Sequence, residues 1–254
     1  MEQYVSSNTC KNIKYISIST LCFCICSTMM STFGDALAWY RMPKYDSVEE
    51  AEMYVMKDAG FELIPYSCPR TGGHNVQTYI IIASVVYSVG RCLMIRNGIA
   101  ILQRIIHISC IMLLLRMVTL NMTALPNPNP LCVDESMAQI SYFGAGGTVS
   151  QILGSFPSKT CGNLMFSGHT MFLTIFLLFE TFHGLVPRKL LILSVTKTLA
   201  GYHSTIACRS HYTIDIVLAI MITNMVFFLH KAYFPKRLEL PLVPRMEMEI
   251  PIYS

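Results

Sequence analysis

Long apolar stretches dominate the chain and restrict the folds that it can adopt. A helix needs about 20 apolar residues to cross a bilayer, and the 254-residue sequence contains six stretches of roughly this length. Hydrophobic residues make up 53% of the sequence and charged residues 13%, which is about half the charged share of a soluble domain. We therefore expect an all-α polytopic membrane protein with six transmembrane helices, over residues 15–39, 76–95, 105–125, 167–186, 190–208 and 212–234.

The distribution of basic residues predicts how these spans are oriented. With a cytosolic N-terminus, the cytosolic segments hold about twice as many lysines and arginines as the opposite segments, as the positive-inside rule requires. We therefore expect both termini in the cytosol. The first stretch lacks the small-residue cleavage site of a signal peptide, which favours a membrane anchor. The predicted organisation is an N-terminal tail (1–14), a six-helix catalytic domain (15–234) and a C-terminal tail (235–254).

The two longest loops, at residues 41–75 and 126–166, then face the lumen or the exterior. They contain Cys68, Cys132 and Cys161, so an oxidising compartment would allow one disulfide, whose pairing the sequence leaves open. The cysteines show no zinc-binding spacing beside histidines. A net charge of only +4 gives no reason to expect nucleic-acid binding.

Ionisable residues inside a span are unfavourable, so each one requires an explanation. Lys197 can extend toward the cytosolic end of the fifth span. Four further residues lie near cytosolic span ends, where water is close, and a structural role is favoured for them: His107, Glu180, His183 and His230.

Four other ionisable residues lie together at the opposite, non-cytosolic side. His169 begins the fourth span, His211 and Asp215 begin the sixth, and Arg116 lies in the outer half of the third. His211 and Asp215 are four residues apart and share one helix face, where the carboxylate can hold one imidazole nitrogen as N–H. A buried polar pair would show the same spacing. Two imidazoles and a guanidinium nevertheless suit phosphoryl transfer, with a nucleophile, a proton donor and a cation.

The sequence around these residues resembles a known family. The strings CGNLMFSGHT (161–170) and HYTIDIVLA (211–219) are similar to the two signature motifs of the sphingomyelin synthase family. These ceramide phosphotransferases form part of the lipid phosphate phosphatase superfamily. Residues 116–126 are similar to the family's RxxT…LP segment. Residues 58–65 are less similar to the segment that the family carries before its second span.

The resemblance implies transfer of a phosphoalcohol headgroup, foremost phosphocholine, from a glycerophospholipid to ceramide. The products are sphingomyelin or a related phosphosphingolipid and diacylglycerol, and no metal or other cofactor is expected. Carried over to this sequence, His211 attacks phosphorus, Asp215 orients it, and His169 moves the proton. The resemblance also implies a Golgi or plasma-membrane location, with the active site on the luminal or extracellular side. Membrane lipids are the expected partners, and homo-oligomerisation is left open.

Five residues are candidates for substrate binding on the same basis: Arg116, Asn163, Ser167, Arg209 and Tyr212. Asn163 departs from the family, which has Asp in CGD. The wider phosphatase group carries an Arg six residues before its nucleophilic His, where this chain has Thr205 and a displaced Arg209.

These departures leave alternatives open. Residues 207–211 also resemble the inositol-transferring branch, so the enzyme could be an inositol phosphorylceramide or ceramide phosphoethanolamine synthase. A hydrolase of the lipid phosphatase or phospholipase C type would give the phosphohistidine to water. A catalytically silent lipid-binding relative is the third reading, which Asn163 favours and which the intact His169, His211 and Asp215 oppose.

Overall fold

The computed structural model describes residues 2–41, 47–68, 70–71, 74–95, 98–123, 125–129 and 164–233. Almost all the regular structure in them is helical. A 3-10 turn spans Arg188–Leu190, and the two-residue strands β1 (Arg70–Thr71) and β2 (His74–Asn75) pair antiparallel. The helices are α1 (Glu2–Arg41), α2 (Val48–Tyr54), α3 (Ala59–Leu63), α4 (Val76–Met94), α5 (Gly98–Met122), α6 (Gly168–Phe182), α7 (Leu191–Ala207) and α8 (Thr213–Tyr233).

Helix α6 lies at the centre of the bundle. It packs against α8, α7, α4 and α5, and α1 packs along α5. Met171, Ile175 and Phe179 on α6 are fully buried, together with Met112 of α5 and Ala219 of α8. A helix that is apolar on nearly all sides is stable only when neighbours surround it. The apolar content of α6 therefore places it inside the bundle, with Thr170 of its first turn fully buried.

The prediction of a helical membrane protein is confirmed, but the predicted number of six spans is not. Three of the described helices are long and apolar enough to cross a membrane: α4, α5 and α8. They coincide with the predicted second, third and sixth spans, although α5 begins at Gly98, seven residues before the predicted residue 105. The early start takes in Gln103 and Arg104, whose long side chains can reach polar surroundings from a helix end. These helices indicate an integral membrane protein.

The remaining predicted spans also contain helices. Helix α6 is apolar but has 15 residues, α7 has 17, and α1 has 40 and includes residues 2–14 of the predicted N-terminal tail. The predicted C-terminal tail, residues 235–254, lies outside the described residues. The six-span topology and the side of each terminus stay predictions.

Glu180 and Lys197 form an ion pair that the sequence did not predict. Lys197 Nζ donates to Glu180 Oε1 at 3.0 Å, and the Glu180 side chain is fully buried between α6 and α7. The two residues meet because α6 and α7 are consecutive helices that pack side by side. A buried carboxylate requires a cation at close range, and Lys197 supplies it, which gives Glu180 the structural role that the sequence favoured.

The predicted disulfide partners also need correction. Cys68 pairs with Cys208, a residue that the sequence placed at the end of a span and did not consider. Cys208 ends α7, and the adjacent Ser67 N–H donates to the Ala207 carbonyl at 3.0 Å, which brings the two cysteines together. The other two candidates, Cys132 and Cys161, lie outside the described residues.

Candidate active site

The N-termini of α6 and α8 are joined at the site. Ser167 caps α6, since its hydroxyl oxygen accepts a hydrogen bond from the Thr170 N–H at 3.2 Å. Its own N–H donates to the Asp215 carbonyl at 3.3 Å, in the first turn of α8. His169 lies one residue after the start of α6. The capping bonds therefore hold His169 next to the turn that carries His211 and Asp215.

The surroundings of His211 define which of its ring nitrogens is free. Its Nδ1 lies 3.2 Å from the Leu164 carbonyl oxygen and 3.6 Å from Asp215 Oδ2. Both neighbours only accept hydrogen bonds, so this network assigns the proton of a neutral ring to Nδ1. The lone pair then resides on Nε2. His211 is 4% exposed, so this nucleophilic nitrogen is held in a buried setting.

Asp215 is fully buried at the N-terminal end of α8. Its Oδ2 accepts a hydrogen bond from the Tyr212 N–H at 3.1 Å, and the Asp215 N–H donates to the Tyr212 carbonyl at 3.1 Å. Among the described residues, Oδ1 has no hydrogen-bond partner. A helix N-terminus favours a negative charge, so α8 itself stabilises the carboxylate that faces His211.

The rings of His169 and His211 lie edge to face, with their centroids 6.4 Å apart. This separation is too large for a direct hydrogen bond between the rings, but it suits a tetrahedral group placed between them. One ring can contact phosphorus while the other contacts an oxygen on the opposite side. The pair can therefore attack and protonate the same phosphodiester.

Arg116 lies beside His169 and is buried in α5. Its Nε donates to the Phe166 carbonyl at 3.2 Å, and its Nη1 forms an ion pair with Asp35 Oδ1 at 3.0 Å. A Cβ added to Gly168 would lie 3.3 Å from Arg116 Nε, so glycine in the SGHT string allows this close approach. Arg116 thereby fixes the backbone that leads into His169.

Asp35 was missed by the sequence analysis. It lies on α1, within the predicted first span, and an acidic residue at such a position is itself a signal for a buried partner. The sequence predicted no partner for Arg116 on the first helix, and the structure gives Asp35.

Two predicted substrate-binding residues contact the segments before α4 and after α5. Arg209 Nη2 donates to the carbonyls of Phe61 and Ile64 at 2.9 and 3.0 Å, and its guanidinium lies 4.2 Å from the Phe61 ring centre. Burial lowers the pKa of Arg209, and the charge of Asp58 opposes this shift. The Tyr212 hydroxyl donates to the Pro126 carbonyl at 2.9 Å. These contacts give Arg209 and Tyr212 structural roles at the edge of the site.

Most of the other predicted site residues lie close together in the structure. The structure brings together His169, His211, Asp215 and Arg116, with Ser167 as the helix cap between them. Asn163 lies outside the described residues. Within the described ranges, no three His, Cys, Asp or Glu side chains are grouped so that they could hold a metal ion. Metal-independent chemistry stays a prediction.

Known proteins with similar sequences cover this part of the chain. Residues 160–232 match the PAP2 superfamily C-terminal family. The phosphatidylethanolamine:ceramide ethanolaminephosphotransferase of Trypanosoma brucei brucei (strain 927/4 GUTat10.1) is 34% identical over 125 residues, covering 49% of this chain and 38% of the relative. The phosphatidylinositol:ceramide inositolphosphotransferase of Trypanosoma cruzi (strain CL Brener) is 33% identical over 127 residues, covering 46% and 35%.

A third relative is the phosphatidylcholine:ceramide cholinephosphotransferase 1 of Gallus gallus, 31% identical over 148 residues, covering 54% of this chain and 34% of the relative. The aligned part of the chain thus spans less than two fifths of each relative. The resemblance predicted from the motifs is confirmed: residues 160–232 carry a PAP2 superfamily C-terminal sequence, and the chain is similar to sphingomyelin synthase-like ceramide phosphotransferases.

Proposed function

We propose that the protein is a ceramide phosphotransferase that moves a phosphoalcohol headgroup from a glycerophospholipid to ceramide. The observation that carries the proposal is the buried His211–Asp215 pair, in which Nδ1 contacts two acceptors and Nε2 is left free, beside the ring of His169. This pair lies in the segment that matches the PAP2 superfamily, and the relatives named above are ceramide phosphotransferases.

In the first half of the proposed reaction, His211 Nε2 attacks the donor phosphorus. The bond between phosphorus and the diacylglycerol oxygen breaks, and protonated His169 gives its proton to that oxygen. The products of this step are diacylglycerol and a phosphohistidine that carries the headgroup. Asp215 stabilises the positive charge that develops on His211, because its Oδ2 lies beside Nδ1.

In the second half, neutral His169 takes the proton of the primary hydroxyl of ceramide. The ceramide oxygen attacks phosphorus, and the bond between phosphorus and His211 Nε2 breaks. His169 ends the cycle protonated and His211 neutral, as they began. Arg116 contributes a buried positive charge next to this path, and we propose that it also pairs with the phosphate oxygens while it holds the Phe166 carbonyl.

The headgroup that we propose is phosphocholine. The relatives transfer phosphocholine, phosphoethanolamine or phosphoinositol according to their names, so the donor is best decided by direct competition. Membranes containing the protein are given labelled ceramide and each of the three donors, and the labelled product is identified by mass. Labelled sphingomyelin supports the proposal. Headgroup release without a labelled product would indicate a hydrolase, and no reaction with any donor would indicate a silent relative.

The proposed topology has six spans, with α1, α6 and α7 crossing the membrane in addition to α4, α5 and α8. Both termini are cytosolic, and the site faces the lumen of the Golgi or the cell exterior. The support is the excess of basic residues in the predicted cytosolic segments and the location of His169 and His211 at helix starts on one side.

This topology has a direct test in an impermeant thiol reagent. Leu63, 82% exposed before α4, and Leu190, 47% exposed before α7, are predicted on opposite sides. In a background with Cys10, Cys132 and Cys161 replaced by Ser, Leu63→Cys should be labelled from the non-cytosolic side. Leu190→Cys should be labelled only after the cytosolic side is opened, and the reverse pattern would invert the topology.

A further inference from the structure

We propose that Asp58 is a positioning residue for His211, acting through Thr213 at the start of α8. The inference rests on the proposed transferase function. Asp58 Oδ2 accepts a hydrogen bond from the Thr213 N–H at 2.8 Å, and its Oδ1 accepts from the Thr213 hydroxyl. Thr213 is two residues from both His211 and Asp215. One carboxylate from a distant segment therefore holds the helix turn that carries both residues.

Asp58 holds a second helix at the same time. Its Oδ1 accepts hydrogen bonds from the N–H groups of Gly60 and Phe61 at 2.9 and 3.2 Å, and so caps α3. The Gly60 N–H also donates to Thr213 Oγ1 at 3.1 Å. A Cβ on Gly60 would lie 2.1 Å from Thr213 Oγ1, so only glycine permits this approach. The carboxylate thus satisfies N–H groups at two helix starts with one side chain.

Further bonds fix the same segment to the turn that precedes His211. The Cys68–Cys208 disulfide and the Arg209 hydrogen bonds to Phe61 and Ile64 join residues 61–68 to the end of α7. Arg209 has φ of +52°, a left-handed conformation that is unfavourable for a residue with a side chain. The turn from Cys208 to Thr213 therefore depends on external support, and Asp58 provides it at the end nearest the site.

This support matters for chemistry because the hydrogen bonds between Tyr212 and Asp215 set the position of Asp215 relative to the His211 ring. The Asp215 N–H bonds to the Tyr212 carbonyl, and Asp215 Oδ2 accepts from the Tyr212 N–H, so a shift at Thr213 moves Asp215 relative to His211. Displacements of about 1 Å can lower rates by about a hundredfold. Asp58 acts through Thr213 and so is a positioning residue, distinct from the groups that exchange protons or bonds.

The first test compares variants of the full chain in vesicles containing ceramide and phospholipid donors. Asp58→Asn replaces one acceptor oxygen with an NH₂ group that faces N–H donors. It should lower kcat about 10- to 100-fold with little change in KM. Thr213→Val should lower kcat similarly, the double variant should be no worse than either single one, and Thr213→Ser should retain activity. Glu62→Gln, exposed on α3, is the matched control that should leave kcat unchanged.

The second readout does not depend on transfer. Carbethoxylation of His211 by diethyl pyrocarbonate is followed by mass spectrometry across pH, with exposed His203 as the internal reference. Asp58→Asn should change the His211 rate or its pH midpoint and leave His203 unchanged. An unchanged His211 profile overturns the inference, as does a kcat equal to that of Glu62→Gln. If the wild-type chain transfers no headgroup to ceramide, the proposed function fails, and His211 labelling alone still decides the role of Asp58.

Discussion

Two histidine pairs lie toward opposite ends of α8, and they differ in surroundings far more than in spacing. The His169 and His211 rings are 6.4 Å apart, and the His107 and His230 rings are 6.2 Å apart. His211 and His230 are both buried, at 4% and 7% exposure. Ring separation and burial therefore do not distinguish a reactive pair from a structural one.

The partners of the rings provide the distinction. His211 has two acceptors at Nδ1, which assign its proton and free Nε2. His107 Nε2 instead lies 3.0 Å from the Thr20 hydroxyl, and the Phe23 ring contacts it edge-on. We infer that an acceptor that fixes the tautomer, supplied by a carboxylate one helical turn away, makes a histidine pair chemically useful.

The largest expected effect is the loss of the proposed nucleophile. His211→Ala should reduce headgroup transfer by several orders of magnitude, because no other group can form the covalent intermediate. His230→Gln, at the other end of α8, should keep transfer within about threefold, because His230 lies far from the reacting groups and has a structural role. Transfer of labelled ceramide, normalised to the amount of folded protein, measures both. Substantial product from well-folded His211→Ala protein would end the phosphohistidine mechanism.

Removal of the orienting charge should come next. Asp215→Asn keeps the shape but presents an NH₂ group that can reverse the His211 tautomer, so transfer should fall on the order of a thousandfold. The matched control is Glu180→Gln, which neutralises another carboxylate that is buried in the described part of the chain and breaks the ion pair with Lys197. It should lower the melting temperature and leave kcat of the folded protein largely intact. Equal losses of kcat in both variants would mean that the carboxylate beside His211 has no special role in catalysis.

A smaller effect is expected at Arg116. Arg116→Lys keeps the charge but loses the planar arrangement that serves Phe166 and Asp35 together, so transfer should fall about 10- to 100-fold. Asp35→Asn retains a neutral acceptor and should have a lesser effect. The assay is the same ceramide transfer, with KM for the donor measured separately. Full activity of Arg116→Lys would show that neither the planar fork nor two-point phosphate binding is needed.

The smallest effect is expected at Asn163, where the chain departs from the family motif. Asn keeps the shape and one carbonyl acceptor of Asp, so Asn163→Asp should change transfer by no more than about threefold with choline, ethanolamine or inositol donors. The neighbouring Gly162 and SGHT residues are intact, which favours tolerance. A gain of about a hundredfold, equivalent to about 3 kcal/mol in the transition state, would instead show that a missing charge limits the protein.

The sequence predicted the elements of the site better than the bonds that hold them together. His169, His211 and Asp215 were predicted together because each lies at a helix start that hydropathy and motif both mark. Three long-range pairs were missed or misassigned: Asp35–Arg116, Glu180–Lys197 and Cys68–Cys208, which are 81, 17 and 140 residues apart. Hydropathy predicts that a helix is buried, but not which neighbour it faces, so pairs between helices required the structure.

The proposed mechanism requires a covalent intermediate on His211, which can be trapped. The protein is incubated with a donor lipid labelled at its headgroup phosphate, without ceramide, and then denatured in base, where phosphohistidine survives and acid-labile label can be mapped by mass. We expect label on the peptide that contains His211 in wild-type and His230→Gln protein and no label in His211→Ala. The label should be released to lipid when ceramide is added before denaturation. Label retained in His211→Ala, or transfer by wild-type protein that never becomes labelled, would contradict this mechanism.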